Sequence, residues 1–131
     1  MPHLLLLALV VVVAFVLINK LFAPSLEPEI DKVLKGGEVG PLLKAIGERR
    51  PGARPDAFNR AIRRLWDEYQ RETAIPLIRA LAEEHADSKI AQYWLQQVTT
   101  VEPELAAASF DEAFMAKHYK PEVAATCGKV G

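Results

Sequence analysis

Few residues in this chain are of a type and spacing that do chemistry. His3, His85, His118 and Cys127 are its soft metal ligands, and no two of them stand at the i, i+3 or i+4 spacing that places donors on one helix face. Cys127 is the single cysteine, so a disulfide framework, a CxxC redox pair and a Cys-rich zinc site are all excluded. The adjacent acids Asp67-Glu68, Glu83-Glu84 and Asp111-Glu112 would point about 100° apart on a helix and do not converge as an acid–base couple. GxxxxGK[ST], GxSxG and HExxH are all missing from the sequence. The expectation is a protein that is not an enzyme and uses no cofactor or metal.

Charge is the other candidate for function. The 131 residues carry 16 Lys+Arg and 17 Asp+Glu, which excludes a globally basic nucleic-acid binder. The distribution is uneven. From Lys44 to Arg64 seven bases face only Glu48 and Asp56, whereas from Asp67 to Glu112 ten acids face Arg71, Arg79 and Lys89. Arg49, Arg50, Arg54, Arg60, Arg63 and Arg64 therefore form a candidate patch for anionic lipid headgroups, each base near such a surface being worth about 1 kcal/mol. Phe58 is the one aromatic among these arginines, and a core stripe claims it. No nucleic acid is expected.

The elements that position these residues begin with an apolar run. Leu4 to Ile18 contains no polar residue, and residues 2–22 as a helix would reach roughly 30 Å, enough to cross a hydrocarbon core. The segment 1–23 is expected to be a transmembrane signal-anchor. A cleaved signal peptide is the competing expectation, but Met1-Pro2-His3 supplies no basic n-region and Pro24 follows the best small residue, Ala23. Lys20, Lys32 and Lys35 follow the span and none precedes it, so positive-inside logic places the C-terminal portion in the cytoplasm.

Beyond the span the pattern is helical throughout. Residues 24–38 read as a linker with a short helix closed by Gly36-Gly37, 39–119 as a helical-repeat domain and 120–131 as a flexible tail. Phe58, Ala61, Ile62, Leu65, Trp66 and Tyr69 form one stripe at i, i+3, i+4, i+7 spacing, with Pro55-Asp56 as its N-cap. Leu77, Ile78, Leu81 and Ala82 form a second, where Pro76 is tolerable in a first turn. Ile90, Ala91, Trp94, Leu95, Val98 and Val101 form a third. Ser109-Phe-Asp-Glu112 reads as a capping box opening a last helix with Phe110, Ala113 and Phe114.

An internal echo links the helices. Pro41-Leu-Leu-Lys-Ala-Ile-Gly-Glu48 and Pro76-Leu-Ile-Arg-Ala-Leu-Ala-Glu83 match class for class at a spacing of 35 residues, the period of stacked helix–turn–helix repeats. Residues 72–103 resemble a tetratricopeptide repeat, with Ala91 at its small second-helix position, Leu95 at the bulky one, Val98 at the next small one and Pro103 as the terminating proline. Ile75, Arg79 and Ala82 depart from that pattern, and a HEAT-like or unclassified hairpin pair is the alternative. The apolar run and the helical periodicity, with this resemblance, give an all-α fold: a single N-terminal transmembrane helix followed by a small antiparallel helical-hairpin domain of α-solenoid type. The resemblance also implies a non-catalytic scaffold that docks another protein. The alternatives are an accessory subunit of a larger membrane complex and a processed periplasmic helical protein.

Overall fold

The computed structural model describes residues 2–21 and 25–126, with side chains over 3–15 and 25–124. The protein is all-α. A first helix, α1, runs from Pro2 to Leu21. Its described large apolar side chains, from Leu4 to Phe15, are between 48% and 75% exposed, and none joins the core.

The remaining helices form one packed array. They are α2 (Glu27–Leu34), α3 (Gly40–Gly47), α4 (Arg54–Asp67), α5 (Arg71–Glu84), α6 (Lys89–Val101), α7 (Pro103–Ser109), α8 (Glu112–His118) and α9 (Pro121–Thr126), with a 3-10 turn at Pro51–Ala53 before α4. Each helix packs on the next through α2, α3 and α4 and again through α4, α5, α6 and α7, while α2 also meets α4, α4 meets α6 and α6 meets α9. Neighbour and next-neighbour contact is the packing of a hairpin array, in which each unit buries its apolar stripe against the one before it.

The echo is structural. Leu42 and Leu77, and likewise Ile46 and Leu81, hold corresponding places and are all fully buried. The stripes of α4, α5 and α6 supply the rest of the core: Phe58, Ile62, Leu65, Trp66, Ile78, Ala91, Trp94, Leu95 and Val98, completed by Phe110 and Phe114. Leu26, Ile30 and Val33 join that core, so α2 belongs to the array rather than to a bare linker. Arg79 stands where a tetratricopeptide repeat has a small residue, and the neighbouring helix explains it. Its guanidinium lies 5.5 Å from the Phe110 ring and 4.7 Å from that of Phe114, and it donates to the Ser109 carbonyl.

Helix ends depart from expectation where one or two residues decide a cap. Asp56 does not cap α4, which starts two residues earlier and follows Ala53 with no side-chain cap. Arg54 and Pro55 occupy the first turn, where N–H groups have no acceptor within the helix, so the missing N–H of Pro55 forfeits no helical bond. Helix α5 likewise starts at Arg71, so Pro76 sits inside it rather than in its first turn; it faces solvent and removes the donor that the Glu72 carbonyl would otherwise receive. Ser109 ends α7, and it is Asp111 whose Oδ1 accepts from the Phe114 N–H at 2.7 Å to open α8. Ala113 is exposed. Tyr69 and Val101 leave their stripes, at 83% and 41% exposure. Part of the expected tail is ordered as α9, with Ala124 buried against the array, while Cys127 lies outside the described residues.

The expected membrane span finds only partial footing. Among the described residues no helix is long and apolar enough to cross a membrane. Phe22 and Ala23, where the span was expected to end, lie outside the described residues.

Candidate functional site

The six arginines expected to form one patch are divided among different tasks. Arg54 turns back on its own chain, its Nε donating to the Arg49 carbonyl at 3.0 Å and its Nη2 to the Gly47 carbonyl at 2.9 Å. It thereby satisfies carbonyls freed at the end of α3. Arg64 reaches α2, donating to Glu27 Oε2 at 2.6 Å and Asp31 Oδ1 at 3.4 Å. Arg50 and Arg60 are exposed, and Arg49 is half-buried. Arg63 is exposed and lies over the Trp94 ring at 5.9 Å. Arg60, Arg63 and Arg64 line one groove of about 400 Å³, but Glu27, Asp56 and Asp67 line it too. The acids offset the bases that the sequence grouped together.

A second cluster was not visible as a motif. Helix α4 ends with the Gln70 N–H bonded to the Leu65 carbonyl at 2.9 Å and the Tyr69 N–H to the Trp66 carbonyl at 3.1 Å. This is a Schellman cap, and it forces its last residue into the left-handed region. At α2 the same two bonds, from Gly37 to Lys32 and from Gly36 to Val33, place Gly36 there with φ 97°. At α4 the residue is Tyr69, with φ 61°, where a side chain costs energy that glycine does not.

Beside Tyr69, aromatic rings and guanidinium groups alternate. Arg71 lies 4.7 Å from the Trp66 ring and 5.5 Å from that of Tyr69. The Trp66 and Trp94 rings are 5.5 Å apart, and Arg63 lies over the Trp94 ring. Trp94 is fixed in turn by donating to Asn59 Oδ1 at 2.8 Å. Arg71 also pairs with Glu102 at the end of α6, while its Nε is buried without an acceptor. Tyr69 and Arg71 together separate two open clefts. One, of about 310 Å³, is lined by Arg63, Trp66, Asp67, Tyr93, Trp94 and Gln97. The other, of about 390 Å³, is lined by Gln70, Glu72, Thr73, Glu102 and Leu105.

The histidines serve packing. His118 is buried against Phe114, ring to ring at 4.6 Å, and His85 meets the Phe58 ring at 6.5 Å. Their setting depends on Gln92, a fully buried polar residue with no sequence signal. Its amide donates to the carbonyls of Ala86 at 2.8 Å and His118 at 2.7 Å, and its oxygen accepts from the Lys120 N–H at 2.7 Å. Lys120 also pairs with the exposed Asp87, and this cation holds the Asp87 carboxyl below the usual range. Among the described residues no three His, Cys, Asp or Glu side chains gather as a metal site.

Fold and clefts together define an all-α protein of packed helix pairs, compatible with a helical-repeat array. No protein-family model matches the sequence, no curated protein matches it, and no solved structure matches it.

Proposed function

We propose that the chain is a single-pass, membrane-anchored protein-interaction module that performs no catalysis, its helical array held at the cytoplasmic face by α1. The observation that carries this reading is the surface of α1. From Leu4 to Phe15 its described apolar side chains are exposed on every side. A helix apolar all round is stable only when something covers it, and the array of this chain does not. The helical backbone from Pro2 to Leu21 runs 20 residues, about 30 Å, and the span proposed here includes residues whose side chains lie outside the described ones.

The array supports the interaction half of the reading. Stacked hairpins are rigid, and they present side chains from several helices on one surface at low entropic cost. Anionic headgroups are a secondary contact here, because Arg54 and Arg64 are committed inside the array. That leaves Lys44, Arg50, Arg60 and Arg63 as exposed bases in or near the expected patch.

Carbonate extraction of membranes from expressing cells tests the anchor. Retention in the membrane pellet is expected, because burying about 20 apolar residues outweighs screened surface attraction. Release by salt or carbonate, or a mature chain beginning near Pro24, would reject it.

A further inference from the structure

We propose that the smaller cleft beside Tyr69, lined by Arg63 and Arg71, is a docking site for an acidic segment of a partner protein, with a carboxylate of that segment engaging Arg63. The inference rests on the reading of the array as an interaction module, and adds the place and the partner's chemistry.

Two independent observations converge on this place. The first is Tyr69 itself. Its backbone adopts φ 61°, a conformation Gly36 adopts at the end of α2 without a side chain, yet the ring is 83% exposed and adds nothing to the core. A strained residue whose side chain does not serve folding is a candidate for function. Tyr69 lines both clefts, and a tyrosine so exposed offers a large contact area with little rotamer entropy to lose.

The second observation is the charge of the smaller cleft. Arg63 is exposed, has no ion-pair partner among the described residues, and is braced over Trp94. A guanidinium stacked on an aromatic face is weakly hydrated and keeps its N–H fork free for a carboxylate. Arg71 adds a second cation at the opposite wall, already held by Glu102, and Tyr93 and Gln97 add polar groups. Asp67 is the one acid lining this cleft, and it makes no ion pair with Arg63. In this cleft two cations face one acid, so it is here, and not in the cleft lined by Glu72 and Glu102, that charge complementarity selects an anionic group. The Tyr69 ring and Leu105 beyond it offer an apolar landing for the residue beside that anion, and Trp, Tyr and Arg in one cluster are the residues that dominate protein–protein contacts.

The test uses the full chain in nanodiscs of neutral lipid, panned against a displayed library of random dodecapeptides. Enriched peptides are expected to place Asp or Glu next to an apolar residue. By fluorescence anisotropy, Arg63→Glu and Tyr69→Gly should each weaken the best peptide roughly tenfold, as reversing a charge or removing an anchoring ring does. Arg60→Glu, on the same helix but outside both clefts, should stay within about twofold. Tyr69→Gly should melt no lower than wild type, so its loss of binding cannot come from unfolding. Acidic peptides that bind all three variants equally, or enriched peptides that are basic or neutral, would overturn the site and leave the interaction module standing. No enrichment of any peptide would overturn both. Loss of phosphatidylserine-vesicle binding in Arg63→Glu, with no peptide enriched, would make the cleft a lipid site and overturn the proposal.

Discussion

Replacing Gln92 by Met should loosen the C-terminal end of the array while leaving its other end intact. Gln92 is fully buried and makes three hydrogen bonds, one donated to the His118 carbonyl in the interior and two made at partly buried positions with Ala86 and Lys120. Met keeps the volume and shape, so the cavity term is small. Each bond is worth about 0.5–1.5 kcal/mol net, and the buried His118 carbonyl left without a donor costs about 1–3 kcal/mol. Water can reach the other two partners and recover part of their share. The sum is about 2–4 kcal/mol, which lowers the melting temperature by roughly 8–16 °C for a domain of about 100 residues. Thermal melts measure the total, and amide exchange locates it. Protection should fall first at Lys120 and through α9, with α4 losing protection only at the global unfolding limit. A melting temperature within about 4 °C of wild type, or equal loss of protection in α4 and α9, would refute the reasoning.

The remaining predictions address helix ends, packing and charge. Tyr69→Gly should gain about 0.5–1 kcal/mol, because relief of left-handed strain of about 1–2 kcal/mol exceeds the added unfolded-state entropy, whereas Gly36→Ala should lose about 1 kcal/mol; paired denaturant titrations compare the two. Ala91→Trp should cost about 1–3 kcal/mol or more by overpacking a fully buried position, while Glu84→Ala, on the exposed face, should stay within about 0.5 kcal/mol, and equal melts would dispose of the helix phase. Arg64→Glu should cost about 1 kcal/mol and loosen α2, since both carboxylates it meets there, Glu27 and Asp31, become like charges. For Asp87 the lowered carboxyl makes the Lys120 contact a contribution present above the ordinary Asp range and lost as pH falls through the depressed value; Asp87→Asn should flatten that acid-side dependence in the melting curve by removing, at neutral pH, the small contribution of an exposed pair.

Much of the fold was legible because apolar spacing reports burial directly. The stripes of α4, α5 and α6 and the echo that pairs Leu42 with Leu77 needed only a period of about 3.6 residues. Caps were less legible, since Ser109 and Asp111 are both good capping residues and the choice between them depends on where α7 stops. Tyr69 misled for a related reason. Its spacing suits the stripe of α4, but the Schellman closure turns the chain one residue too early for it to reach the core. The arginines were the least legible. What separates Arg64 from Arg63 is a carboxylate on α2 far away in sequence, and Arg71 gained its place from Trp66 and Glu102 on two other helices. Gln92 gave no signal at all, because its partners are backbone groups that any sequence possesses.

The most direct test of the account is affinity purification of the full chain in a mild detergent, followed by mass spectrometry and a parallel purification of Arg63→Glu. A reproducible partner in near-stoichiometric amount is expected, co-purifying with the chain and diminished in the variant. A chain that purifies alone from intact membranes, with and without the substitution, would contradict it.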